Sequence, residues 1–515
     1  MTGRDDLGGP RVFRLEVAGD CVVPPQADHL TVLVGVSAGP PPEAGPAGPA
    51  VPEAPPVAPV EILVLDRSRS MHYQGLFGLA KEALHAAIGE IPDGCLFAVM
   101  VGHHTATWVY PEHGGPATAS EDTREAARQA VSRQKSAGGT RMSEWLLAAR
   151  TLIAEAGLRD RPCHVLLCTD GKNESEESAR VESVLRACAG SFVCDVIGLG
   201  DEWEFRDVLR IAEALHGRAA GIPNGAELAA GMVDSVRRGL ELQHHDARLW
   251  LGLTEGFELV EARQTFPLEA DLLRGGEART WSRTAGDGPE EVEIPLGDWG
   301  EEERDYYLRI ALPGWLEPGE QVRACRVEIR VPGPGGSPVR AAAPAAVMVE
   351  VDAFADRPSP PHPRITEVER NRELGVAMRE CFDAWQEAAW PRADGALRRA
   401  IGLARRNQDE RRLDCLLAVA ESADPGPQAA GDGTDGRALR LRRDVTPGEM
   451  HALGVVSVTV TRRREGRTCP KGHVASIPEA VFCDICGGRL RPSGGSGPGS
   501  ASRAAGGGTA GRGGA

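Results

Sequence analysis

The spacing of apolar residues along this chain changes character several times, and each change predicts a different kind of layer. Two short alternating runs come first: Val12, Phe13, Leu15 and Val17, then Leu30, Val32, Val34 and Val36. They predict strands over 11–17 and 30–37. Residues 39–60 are rich in Pro, Ala and Gly and read as an extended linker. From 61 to 240 short apolar runs alternate with segments of helical period. Strands are predicted at 61–65, 95–101, 163–169 and 192–199. Helices are predicted near 76–91, 121–134, 143–156, 176–188, 204–216 and 225–240. Such alternation means a doubly wound α/β domain, a mostly parallel sheet covered on both faces. Over 241–356 the period returns to two, with strands expected at 247–259, 291–296, 305–311, 322–331 and 345–353. Together with residues 1–38 these would form an antiparallel β-sandwich, with the α/β domain inserted between its parts. Residues 363–424 read as a small helical segment. Thr366 and Glu369 form a capping-box pattern, Leu374, Met378, Cys381, Phe382 and Trp385 share a face, and Pro391 opens a second helix. A β-hairpin is predicted over 437–464, and the Gly/Ser/Ala-rich residues 492–515 are expected to be disordered.

Composition narrows the function. The 515 residues carry a net charge of −16, which argues against general binding to nucleic acid or anionic membranes. No run of 18 apolar residues is present, so no membrane span is expected. Met1 to Pro10 lacks the apolar stretch of a signal peptide. Most of the twelve cysteines, such as Cys163, Cys168 and Cys194, sit within strand-like runs, where Cys acts as a small hydrophobe. That usage fits a reducing compartment, and a cytoplasmic location is expected.

Candidate chemistry gathers where the parallel strands should end, which is where ligands bind in such sheets. After the run Ile62-Leu63-Val64-Leu65, the turn Asp66-Arg67-Ser68-Arg69-Ser70 places oxygen side chains at alternate positions. Thr140 follows Gly138-Gly139 in a second loop, and Asp170 follows Leu166-Leu167-Cys168-Thr169 in a third. A hard cation such as Mg²⁺ takes about six oxygen ligands in an octahedron and keeps some of them as water. Two carboxylates and three hydroxyls leave such a site open to an acidic group from a partner. Alternatively, Ser68 and Ser70 simply cap the helix that follows.

With these three loops in place, residues 61–238 resemble a von Willebrand factor type A domain with its metal-ion-dependent adhesion site. The resemblance implies that Asp66, Ser68, Ser70, Thr140 and Asp170 bind Mg²⁺ or Mn²⁺. Arg69 departs from the family, which often has Gly there. The order of segments is also similar to that of uncharacterised bacterial (actinobacterial-type) proteins with a β-rich part, a helical part and a zinc ribbon. The role implied is divalent-cation-dependent protein–protein interaction, as an adaptor or scaffold, with a partner that presents an acidic residue.

Near the C-terminus, Cys469-x3-His473 and Cys483-x2-Cys486 provide three thiolates and one imidazole, a closed tetrahedral Zn²⁺ set within 468–491. A segment this short cannot build a core, so the metal would supply most of its folding energy. It resembles a zinc ribbon and leaves no open position for substrate. Arg462, Arg463, Arg464 and Arg467 adjoin it, and an adaptor that contacts nucleic acid through this arm is an alternative. Catalysis is not expected. Haloacid-dehalogenase-type phosphatases carry a second Asp two residues after their nucleophile, where this chain has Ser68. Gly35-Val36-Ser37-Ala38-Gly39 has Gly-x-Ser-x-Gly spacing but runs from a predicted strand into the linker and not into a helix, so it is no nucleophile elbow, and no phosphate-binding loop occurs. A Mg²⁺- or Mn²⁺-dependent, phosphatase-like hydrolase is the remaining enzymatic alternative, and no residue of the three loops stands out as its general base.

Overall fold

The computed structural model describes residues 13–19, 22–39, 59–171, 177–223, 227–273, 279–281, 290–333, 337–352, 362–422 and 439–460. The chain divides into two compact units, Met1–Thr461 and Arg462–Ala515. All described residues lie in the first. Cys469, His473, Cys483, Cys486, the arginine arm and the tail therefore fall outside the described residues.

Val60–Asp66 is buried at every position, as a central strand of a parallel sheet must be. It pairs in parallel with Leu96–Gly102 on one side and Cys163–Thr169 on the other. Val193–Leu199 and then Ala219–Ile222 extend the sheet beyond Cys163–Thr169, also in parallel. The antiparallel strand Ala106–Tyr110 closes the far edge, and like Ala219–Ile222 it has no counterpart in the sequence reading. Both edge strands are short and lack a strong apolar run. Helices Leu76–Gly89, Glu121–Ser132 and Leu228–Leu240 cover one face of the sheet. Met142–Glu155, Ser178–Cys188 and Phe205–Ala214 cover the other.

The antiparallel part forms two sheets around a core of its own. His29–Ala38 pairs with Glu303–Ala311, so strands from before and after the α/β domain lie side by side in one sheet. The run expected as one strand over 247–259 is two, His244–Leu253 and Glu258–Phe266. Between them the Phe257 N–H donates to Thr254 O, and Gly256 adopts φ +85°, which glycine tolerates best.

The helical segment comprises Pro363–Gln386, Trp390–Asn407 and Glu410–Ala418. Its first helix begins earlier than Thr366. His362 is the N-cap and Pro363 the first helical residue, because the fixed φ of proline suits that position. The hairpin expected over 437–464 is contradicted. Leu439–Leu441 pairs with Ala420–Ser422, and Pro447–Val456 is a helix. Thr446 and Glu449 form a capping box around Pro447, a start signal that prevails over the Val-rich pattern. This helix and Pro363–Gln386 pack on the Met142–Phe205 side of the parallel sheet. Phe382 and Leu453 belong to the same core cluster as Trp203 and Phe205. Among the described residues no helix is long and apolar enough to cross a membrane, and the eight cysteines are free thiols.

Candidate metal centre

The three oxygen-bearing loops meet at the carboxyl ends of the parallel strands. Asp66 is the last residue of Val60–Asp66, and Asp170 follows Cys163–Thr169. The first and second loops are bound through their backbones. The Arg69 N–H donates to Gly138 O at 2.9 Å, and the Ala137 N–H donates to Arg67 O at 2.7 Å. Gly138 adopts φ +87°. A Cβ on Gly139 would lie 2.7 Å from His104 Cε1, so a side chain there would displace the imidazole. The Gly139 N–H donates to His104 Nε2 at 3.1 Å, and Trp145 Nε1–H donates to His103 O at 2.8 Å. His103 and His104 follow the end of Leu96–Gly102, and the exposed His104 steadies the loop that carries Thr140.

All five predicted oxygens come together. The Ser68 N–H donates to Asp66 Oδ1 at 2.7 Å. The Ser70 hydroxyl donates to Asp170 Oδ1 at 2.9 Å, and the Ser68 hydroxyl donates to the same oxygen at 3.3 Å. The two hydroxyls are 2.9 Å apart. Thr140 Oγ1 lies 3.5 Å from Asp66 Oδ2. Neither serine caps the following helix, since Leu76–Gly89 has Gly75 as its N-cap and no side-chain cap bond. A sixth polar group, Thr169, donates to Asp66 Oδ2 at 2.5 Å and accepts the Gly171 N–H at 3.1 Å. Thr169 lies inside the sequence motif, but its place within a strand hid this role. A Cβ on Gly171 would meet Thr140 Oγ1 at 2.6 Å, so glycine here lets the second and third loops close on one another.

Asp66 is 0% exposed and Asp170 is 1% exposed, and neither has an ion-pair partner among the described residues. Burial pushes the Asp66 carboxyl up to about 6. Burial, and then the neighbouring Asp66 charge, push Asp170 up to about 7. Two carboxylates hidden from water with no facing cation are costly. A divalent ion between them would reverse both shifts. The donor set is all oxygen and carries two formal negatives, which suits Mg²⁺ or Mn²⁺ and not a soft metal. Among the described residues no group of three or more His, Cys, Asp or Glu side chains is arranged to hold a metal. Ligation here would therefore depend on the three hydroxyls.

A cleft of about 730 Å³ opens over these loops. Its floor includes Ser68, Ser70 and Thr140. One wall is the 201–204 segment after Val193–Leu199, and another is formed by Trp385 of Pro363–Gln386 with Pro447 and His451 of Pro447–Val456. The sequence offered no sign of that second wall.

Residues 62–220 match the family model for the von Willebrand factor type A domain. A von Willebrand factor type A protein from Catenulispora acidiphila is similar over 89% of this chain and 99% of its own, with 27% identity and a TM-score of 0.76. A curated relative from Synechocystis sp. (strain ATCC 27184 / PCC 6803 / Kazusa), described as uncharacterized, is 28% identical over 281 residues, which is 53% of this chain. The match spans 61% of that relative's length. Similarity across nearly the whole Catenulispora chain extends past the α/β domain into the sandwich and helical parts. The chain is a multidomain protein whose residues 62–220, the α/β layer that carries the three loops, match the von Willebrand factor type A domain.

Proposed function

We propose that this protein is a divalent-cation-dependent interaction module of the adaptor or scaffold kind. Asp66, Ser68, Ser70, Thr140 and Asp170 would hold Mg²⁺ or Mn²⁺, and an acidic group of a partner protein would complete the shell. The reading rests chiefly on the two buried carboxylates, which share three hydroxyls and face no cationic side chain among the described residues. The chain's own residues orient the site. Thr169 and the Ser68 N–H fix the Asp66 carboxylate, while backbone bonds and His104 hold the Thr140 loop. When bound, the cation supplies a Lewis-acidic position for a carboxylate.

Because the ion would bind the folded chain and not the unfolded one, excess Mg²⁺ or Mn²⁺ is expected to stabilise it. The gain at a hundredfold excess over Kd is about 2.7 kcal/mol. A melting temperature raised by either ion and lowered again by EDTA would support the site. Identical melting curves in both would remove it from the mechanism.

The C-terminal unit is proposed to hold one structural Zn²⁺ on Cys469, His473, Cys483 and Cys486. Metal analysis of the purified chain is expected to find about one zinc per chain, lost in Cys483→Ser and in Cys486→Ser. Full zinc retention in either variant would refute the assignment. With all four positions filled, that unit is proposed as a structural or docking element. No feature of the described residues favours hydrolysis or nucleic-acid binding over adhesion, and a cytoplasmic location remains the proposal from cysteine usage.

A further inference from the structure

The cleft above the candidate metal centre has a charge pattern that restricts what can enter it. Asp201, Glu202 and Glu204 line one wall, and among the described residues no lining side chain is Lys or Arg. Two of these acids are already engaged. Asp201 accepts the Gly448 N–H at 2.9 Å, and Glu204 accepts the Arg206 N–H and lies 3.7 Å from the Arg206 guanidinium. Glu202 is exposed and has no partner among the described residues. It is close enough to Asp170 to raise that carboxyl's affinity for protons. Trp385, half-buried, also lines the cleft.

A divalent ion would neutralise Asp66 and Asp170 and nothing more. A partner that brought only carboxylates would then meet the rim acids, and like charges set against one another disfavour binding. We propose that the cleft takes an extended protein segment in which the metal-binding Asp or Glu is accompanied by a Lys or Arg within about three residues, on the order of 10 Å along the strand. The acid sits on the ion. The cation lies between the Glu202 carboxylate and the face of Trp385, where an ion pair and a cation–π contact act together. This inference rests on the adhesion reading above and adds the selectivity of the same site.

The test uses the full chain and synthetic nine-residue peptides with one central Glu. Each flanking position is Arg, Ala or Asp in turn, and binding is read by fluorescence anisotropy in Mg²⁺ and in EDTA at low salt. Peptides with a flanking Arg are expected to bind about fivefold more tightly than those with Ala, and those with Asp most weakly, all only in Mg²⁺. Glu202→Arg is expected to invert that order. Mg²⁺-dependent binding indifferent to the flanks, or an unchanged order in Glu202→Arg, would overturn the inference and leave the adhesion reading standing. If no peptide binds in a Mg²⁺-dependent way, the adhesion reading falls and this inference falls with it.

Discussion

Asp66→Ala is expected to lower Mn²⁺ affinity by at least about 100-fold. Loss of an outer partner of a metal site alone commonly weakens binding 10–100-fold, and Asp66 is one of only two charged donors here. The fold is expected to survive because two effects oppose one another. Removing the carboxylate leaves the Ser68 N–H and the Thr169 hydroxyl without their acceptor, at about 1–3 kcal/mol for each buried group. It also removes a buried charge that has no facing cation, which offsets part of that loss. Calorimetric titration with Mn²⁺, alongside a circular dichroism spectrum of the variant, checks both halves. Wild-type affinity in a folded variant would show that Asp66 is not a ligand.

Trp203→Ala is expected to destabilise the chain by about 3–5 kcal/mol, the usual range for truncating a fully buried Trp. The ring is 0% exposed and fills space that two glycines leave open. A Cβ on Gly198 would lie 2.2 Å from the indole, and one on Gly221 would lie 2.7 Å from it. Its Nε1–H donates to Gly200 O at 2.9 Å, and its ring centroid is 5.4 Å from that of His451. Trp203 therefore ties the segment bearing Asp201 and Glu202 both to the sheet and to the helical wall of the cleft. A large shift of the urea midpoint is expected. A change below about 1 kcal/mol would mean that the cavity collapses or fills at little cost, contrary to the packing described.

The central layer was legible because its strands are continuous apolar runs and its helices have a clear period. Val60–Asp66 and Cys163–Thr169 read correctly from Ile62-Leu63-Val64-Leu65 and Leu166-Leu167-Cys168 alone. The five oxygens were legible for a related reason. Each lies just after such a run, so topology alone brings them to one end of the sheet. Supporting groups were not legible, because their roles depend on contacts distant in sequence. His104 acts on Gly139, Thr169 reaches back to Asp66, and Gly448 docks on Asp201 across 247 residues. The helix Pro447–Val456 was misread as a strand because its apolar residues resemble a buried strand. Thr446, Pro447 and Glu449 carried the decisive signal at its N-terminus. The wall formed by Trp385 and His451 arises from packing of Pro363–Gln386 and Pro447–Val456 on the sheet's core. No local pattern encodes it.

The central claim is that a partner is held through a cation at Asp66, Ser68, Ser70, Thr140 and Asp170. Affinity capture with the full chain and with Asp66→Ala as baits, each in Mg²⁺ and in EDTA, tests it most directly. The account predicts a protein retained by the wild-type chain in Mg²⁺ alone, and released by EDTA. Identical captures under all four conditions would contradict it.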